Sequence, residues 1–327
     1  MKNNSSLLLL LLLSMLSSCL NKETPVPLKP KGAETTASVD MGEDYHWQMY
    51  FSLKSNAMVG KVLYSSWDLG FENEASGYRI VLNGGKFGMA AYRTGKTDFA
   101  SVTIKDTTGV SGKIDMPSGS LDSTAIGDWR TGNAVYIINR GTNENAKWQG
   151  FEKIQILSVD AVKYVVRIAG IDGSNEKTMD ILKDNRYNLG FLSFDDGGKT
   201  LTIEPPKAEW DIVFTKYTYY YYDLMMPYSV VGCLLNRYQT TAGLLDSTGK
   251  DFAAIDLEKA MGTRLASFNS AIGFEWKYYD LNSGKYTVNP AKHYIILSQQ
   301  GIYYKLRFID FYQAGIKGAP KWEYQQL

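Results

Sequence analysis

The sequence predicts an all-β protein with a few short helices, and three features carry that expectation. Tyrosine and tryptophan are abundant, 23 and 7 in 327 residues, and ringed side chains suit a pleated, half-buried surface. Large residues alternate with others, as Trp210, Ile212 and Phe214 do with Asp211, Val213 and Thr215, and a period of two sends one set to a core. Strand, turn, strand patterns also recur: Ile295 and Leu297, the polar turn Ser298-Gln299-Gln300-Gly301, then Tyr304, Leu306 and Phe308. Helical spacing is confined to "DFAAIDLEKAMGTRLASF", where Phe252, Ile255, Leu257, Met261 and Leu265 share a face.

The chain opens on an address. Lys2, the apolar run Leu7 to Leu13 and the small-residue site Leu16-Ser17-Ser18-Cys19 form a secretory leader too short to span a membrane. Residues 1–18 are read as a signal peptide. Cys19 after Leu-Ser-Ser resembles a bacterial lipobox, which would make it the lipidated first residue of an outer-membrane lipoprotein. Asn21-Lys22-Glu23 resembles the short charged signal that sends such lipoproteins to the cell surface. Residues 19–43, polar and carrying Pro25, Pro27 and Pro30, are read as a flexible tether. The one remaining thiol, Cys233 in "VVGCLL", is expected in the core, so stability rests on burial and not on a disulfide.

From there the chain repeats itself. "WDLGFENEASGYRIVLNGG" from Trp67 aligns with "WDIVFTKYTYYYYDLMMPYSVVGCLLN" from Trp210, and "FEKIQILSVDAVKYVVRIAGIDG" from Phe151 with "KHYIILSQQGIYYKLRFIDFYQAG" from Lys292. "HWQMYFSL" precedes the first copy and "YNLGFLSF" the second. Two tandem β modules follow, 44–173 and 185–327.

Parts for catalysis are scarce. Thirty-five basic residues against 34 acidic ones leave a net charge of +1, too little to gather a nucleic acid. Two histidines, His46 and His293, give little from which to build a Ser-His, Cys-His or multi-histidine zinc site. "DDGGKT" at 195–200 runs into the strand-like "LTIEPP" and reads as a hairpin turn, and "NGGKFG" at 83–88 as a glycine-rich turn. A non-catalytic binding protein is expected.

The order "WQMYFS", "WDLGF", "YRIVLNGG" and the terminal hairpin "YIILSQQGIYYKLRFIDFYQ" resembles the HmuY family of haem-binding surface lipoproteins, here as two HmuY-like modules. The resemblance implies an all-β protein that takes up haem and passes it to an outer-membrane receptor. It also implies a cleft where two axial ligands face each other across a flat macrocycle between apolar walls. The candidate iron ligands are Met225 or Met226, with Met261, Tyr279 or His293 as partner. On a strand, Tyr217, Tyr219 and Tyr221 share one face and Tyr220 and Tyr222 the other, which suits either a ligand wall or a two-sided core. Two other readings stay open: a glycan-binding lipoprotein stacking sugars on Trp129 and Trp148, and a receptor accessory without a small ligand.

Overall fold

A computed structural model of the protein describes residues 31–245 and 251–327, and Cys19 lies outside them. Residues 32–327 form one compact unit of twenty strands, numbered β1 to β20 in chain order. They make four main sheets. β4 (Leu69–Glu72) and β5 (Ile80–Leu82) join β11 (Leu189–Ser193) and β12 (Lys199–Leu201) in a four-stranded sheet. Against it, burying Phe71, Ile80, Tyr136, Ile154 and Tyr164, packs a five-stranded sheet of β6 (Ala90–Arg93), β7 (Val135–Asn139), β8 (Phe151–Val159), β9 (Lys163–Gly170) and β10 (Lys177–Leu182). These strands are consecutive, so 69–201 is one inner sandwich.

The outer sandwich is built from the two flanks. Its four-stranded sheet joins β2 (Trp47–Ser52) and β3 (Ala57–Leu63) to β13 (Ile212–Tyr221) and β14 (Met226–Leu235). Its five-stranded sheet joins β1 (Thr35–Ser38) to β15 (Thr241–Leu245), β18 (His293–Leu297), β19 (Tyr303–Gln313) and β20 (Ile316–Gln326). Alternation assigns each face. Met49, Phe51, Ile212 and Phe214 enter the core shared with Tyr294, Phe308 and Trp322, while Tyr50 and Val213 cluster on the other face; Trp210, which stands before the strand begins, joins them there and departs from its expected alternation with Ile212 and Phe214. That second face looks toward Trp67, Val81, Leu189 and Phe191 of the inner sandwich across a small cavity of about 150 Å³.

The expected division at 173/185 therefore differs from the one observed. Strands 47–52 and 57–63 pair with the second half, and 189–193 and 199–201 with the first. A sequence repeat gives the order of elements but is indifferent to where each copy begins; strand pairing places the crossings at 64–68 and 202–211. The expected tether is corrected too. Residues 35–38 pair with β20, and Val39 and Met41 are core residues, because these alternating small and apolar residues cover a sheet edge that would otherwise bare its backbone groups.

The Trp-Asp motif stands at both crossings and makes the same bonds twice. Asp68 N donates to Leu192 O and its carboxylate accepts from Phe194 N; Asp211 N donates to Phe51 O and its carboxylate accepts from Leu53 N. Asn83 Nδ2 donates to the Tyr64 and Trp67 carbonyls, and Asn236 Nδ2 to those of Lys207 and Trp210. Trp67 packs edge-on against Phe191, as Trp210 does against Tyr50. The 83–88 turn carries the buried Lys86, which with Arg140 neutralises Asp68. Residues 195–200 form the β11–β12 turn, with Asp196 and Gly197 at positive φ, and Asp195 also holds Arg140 at 2.6 Å. The helical stretch becomes a 3-10 turn at Phe252–Ala254 and one short helix, α1 (Leu257–Met261).

Candidate ligand-binding cleft

A long hairpin sets up the site. β13 and β14 pair over ten residues, from Ile212↔Leu235 to Tyr221↔Met226, and so project past the core. Near the tip the rings meet edge-on on each face as the alternation predicts: Tyr219 and Tyr221 at 5.0 Å on one side, and Tyr220 and Tyr222 at 5.2 Å on the other. A second hairpin, β16 (Lys277–Asp280) with β17 (Lys285–Val288), stands beside it. Between these hairpins, residues 44–46 ahead of β2, and the 144–146 loop of the inner sandwich lies a cleft of about 1130 Å³.

Its walls are aromatic: Tyr221, Tyr228, Phe274, Tyr279 and Tyr286, with Leu224 and Met226. Tyr286 packs edge-on against Phe311, which stacks on Tyr45 at 5.8 Å. Burial raises the Tyr45, Tyr221 and Tyr286 hydroxyls above their ordinary pKa, so all three remain neutral donors.

Two lysines stand out in this apolar setting. Lys277 lies 4.5 Å above the Trp276 ring and 4.8 Å above Phe311, with Nζ donating to Val231 O. Desolvation pulls its pKa down to about 7. Lys216 sits over Tyr64 at 5.0 Å and Tyr45 at 5.8 Å, and burial lowers its pKa as well. Among the described residues neither has an ion-pair partner, whereas Lys292 of the same cleft faces Glu275 at 3.7 Å.

The expected ligand residues divide. Met226 and Tyr279 line the cleft together. Met225 sits at the hairpin tip at positive φ, 73% exposed and outside the lining. His293 and Met261 are elsewhere, which corrects their pairing with the methionines. Strand alternation turns Tyr294 and Ile296 into the core but His293 to the opposite face, where it is buried against Phe252 at 5.3 Å and desolvation lowers its pKa. Met261 ends α1, which covers that same far face and leaves the thioether exposed. The chain also brings His46 into the cleft. Its place beside the expected tether hid it, and its carbonyl, accepting from Tyr64 N at 3.0 Å, holds it there. Of the two tryptophans considered for sugars, Trp129 is buried with Nε1 donating to Tyr78 O; Trp148 is exposed, its edge bonded to Asn139. Cys233 is fully buried, and burial raises its thiol.

Known proteins meet this chain at the level of sequence family. The family described as HmuY protein matches residues 44–324. The chain belongs to the HmuY family. That makes it a member of a family of haem-binding type, with the nearly all-β architecture described above. Among solved structures, apo PinO of Porphyromonas gingivitis superposes with a TM-score of 0.34 at 8% identity, covering 90% of this chain and 97% of its own. The apo HmuY analogue of Tannerella forsythia gives 0.35 at 9%, over 92% and 98%. A HmuY-like protein of Bacteroides vulgatus gives 0.24 at 18%, over 53% and 90%. No curated protein matches the sequence. Membership rests on the sequence match.

Proposed function

We propose that this protein is a surface lipoprotein that binds haem or a related porphyrin in the cleft between the β13–β14 and β16–β17 hairpins, without catalysis, as a step in haem acquisition. The observation that carries the reading is the cleft itself: it is large enough for a macrocycle, and its aromatic walls offer flat apolar contact. Bound haem would supply an iron centre, and the protein's part is to wall its faces and offer axial atoms. Met226 Sδ is the proposed thioether ligand, with the Tyr279 hydroxyl as partner, and the His46 imidazole lines the same space. Cys19 is the proposed lipid anchor to the outer membrane, and an outer-membrane receptor the proposed recipient. Haemin titrated into protein from residue 32 onward is expected to give a saturable, shifted Soret band, and Met226→Ala to change it. An unshifted spectrum at saturating haemin would reject the assignment.

A further inference from the structure

The two lysines of the cleft pose a charge problem that the aromatic walls alone do not answer. An ammonium held away from water is costly unless an anion or several hydrogen bonds compensate it. Lys277 has one bond, to the Val231 carbonyl, and Lys216 has two ring faces and the field of Asp44, which lies beyond ion-pair distance. The other acids of the cleft are otherwise placed: Glu275 faces Lys292 and Glu144 accepts from Ser65. The geometry has a second feature. Tyr45 and Phe311 stack on each other; Lys216 lies over the first ring and Lys277 over the second. The two cations therefore flank a single aromatic pair beside the cleft.

We infer that the cleft selects its guest by carboxylates, through Lys216 and Lys277, so that its ligand class is carboxylate-bearing porphyrins whether or not they hold a metal. This rests on the porphyrin reading of the cleft. Each carboxylate would meet an ammonium that is already desolvated and already positioned, so little is lost in orienting it. A neutral guest of the same shape leaves both cations uncompensated.

The test titrates the protein, by tryptophan fluorescence quenching and absorbance, with haemin, metal-free protoporphyrin IX and haemin dimethyl ester, in wild type, Lys216→Met and Lys277→Met. Haemin and protoporphyrin IX are expected to bind within about threefold of each other. The diester, which loses both carboxylates, should bind roughly a hundredfold or more weakly, the worth of two charged hydrogen bonds at about tenfold each. Each methionine variant removes one of the two and should weaken haemin by about tenfold, leaving the diester unchanged. Methionine keeps the apolar stem, and the diester comparison needs no variant at all. Equal binding of haemin and its diester to wild type would overturn the carboxylate inference while the porphyrin reading stands. Failure of every porphyrin to bind would remove both.

Discussion

At the residue scale, buried polar groups at the crossings carry specific, measurable costs. Asn236 closes the Lys207 and Trp210 carbonyls, the second of which also accepts from Gln299 Nε2 at 3.3 Å. Asn236→Ala is expected to cost about 1–3 kcal/mol, the cost of leaving the buried Lys207 acceptor unpaired, and Asn83→Ala should cost at least as much by urea denaturation. Two ionisable groups give opposite pH slopes. Glu204, buried in the seam between the sandwiches, has its pKa raised from 4.5 to about 7 by desolvation. The folded state thus keeps a proton that the unfolded state has lost, and stability falls as pH rises from about 4.5 to 7. Lys277 behaves inversely: its amine, lowered from 10.5 to about 7, holds fewer protons folded than unfolded, so stability climbs from about pH 7 to 10.5. Glu204→Gln should remove the first slope and Lys277→Met the second, each raising stability by on the order of 3 kcal/mol at the pH where wild type carries the buried charge, above about 7 for Glu204 and below about 7 for Lys277. Denaturation midpoints across pH 4 to 10 check both signs.

At the scale of elements, the long hairpin was legible in part. Tyr217 to Tyr222 alternate by face as a strand must, and the ring contacts follow; Met225-Met226-Pro227 marks the tip. Nothing in the sequence says which of the two methionines turns toward a cleft, because that depends on the hairpin's final register, Tyr221↔Met226. Met225 instead adopts φ 52, a conformation that costs a side chain about 1 kcal/mol. Met225→Gly should therefore be neutral or stabilising by up to about 1 kcal/mol and leave the haemin spectrum as in wild type, in contrast to Met226→Ala. A change of the Soret band in the glycine variant would place Met225, not Met226, on the iron. Lys277 was missed because "FEWKYYD" reads as an aromatic strand with one tolerated charge; its desolvation is a property of Phe311 and Trp276 closing over it.

For the whole molecule, the nested sandwiches predict what can fold alone. Residues 69–201 are contiguous and contain a complete two-sheet core, whereas the outer core needs strands from both flanks. A fragment of 64–204 is expected to give a cooperative thermal transition and dispersed amide resonances. A fragment of 44–173, which lacks β10, β11 and β12 and carries the β2–β3 hairpin without its partner β13, should remain largely unfolded. The reverse result would restore the tandem division. In the intact chain the two sandwiches are tied across the seam by Asn188 Nδ2 donating to Asn236 Oδ1 at 3.0 Å and Thr218 Oγ1 donating to Gly84 O at 2.9 Å, so a single transition is expected by calorimetry.

The sequence by itself determined the all-β class, the recurrence of the Trp-Asp motif, the turns at 83–88 and 195–200, and an aromatic hairpin ending in methionines. All of these are local, since period-two alternation and turn chemistry are written within a few residues of each other. Only the tertiary structure decided which copy's strands pair, that 35–41 belongs to the fold, that His293 turns away from the site, and that Lys216, Lys277 and His46 meet Met226 in one cleft. Those facts depend on contacts between residues up to nearly three hundred positions apart, as Thr35 and Tyr324 are, and pairing across such distances is settled by burial and hydrogen-bond closure of whole sheets, which no single stretch of the chain encodes.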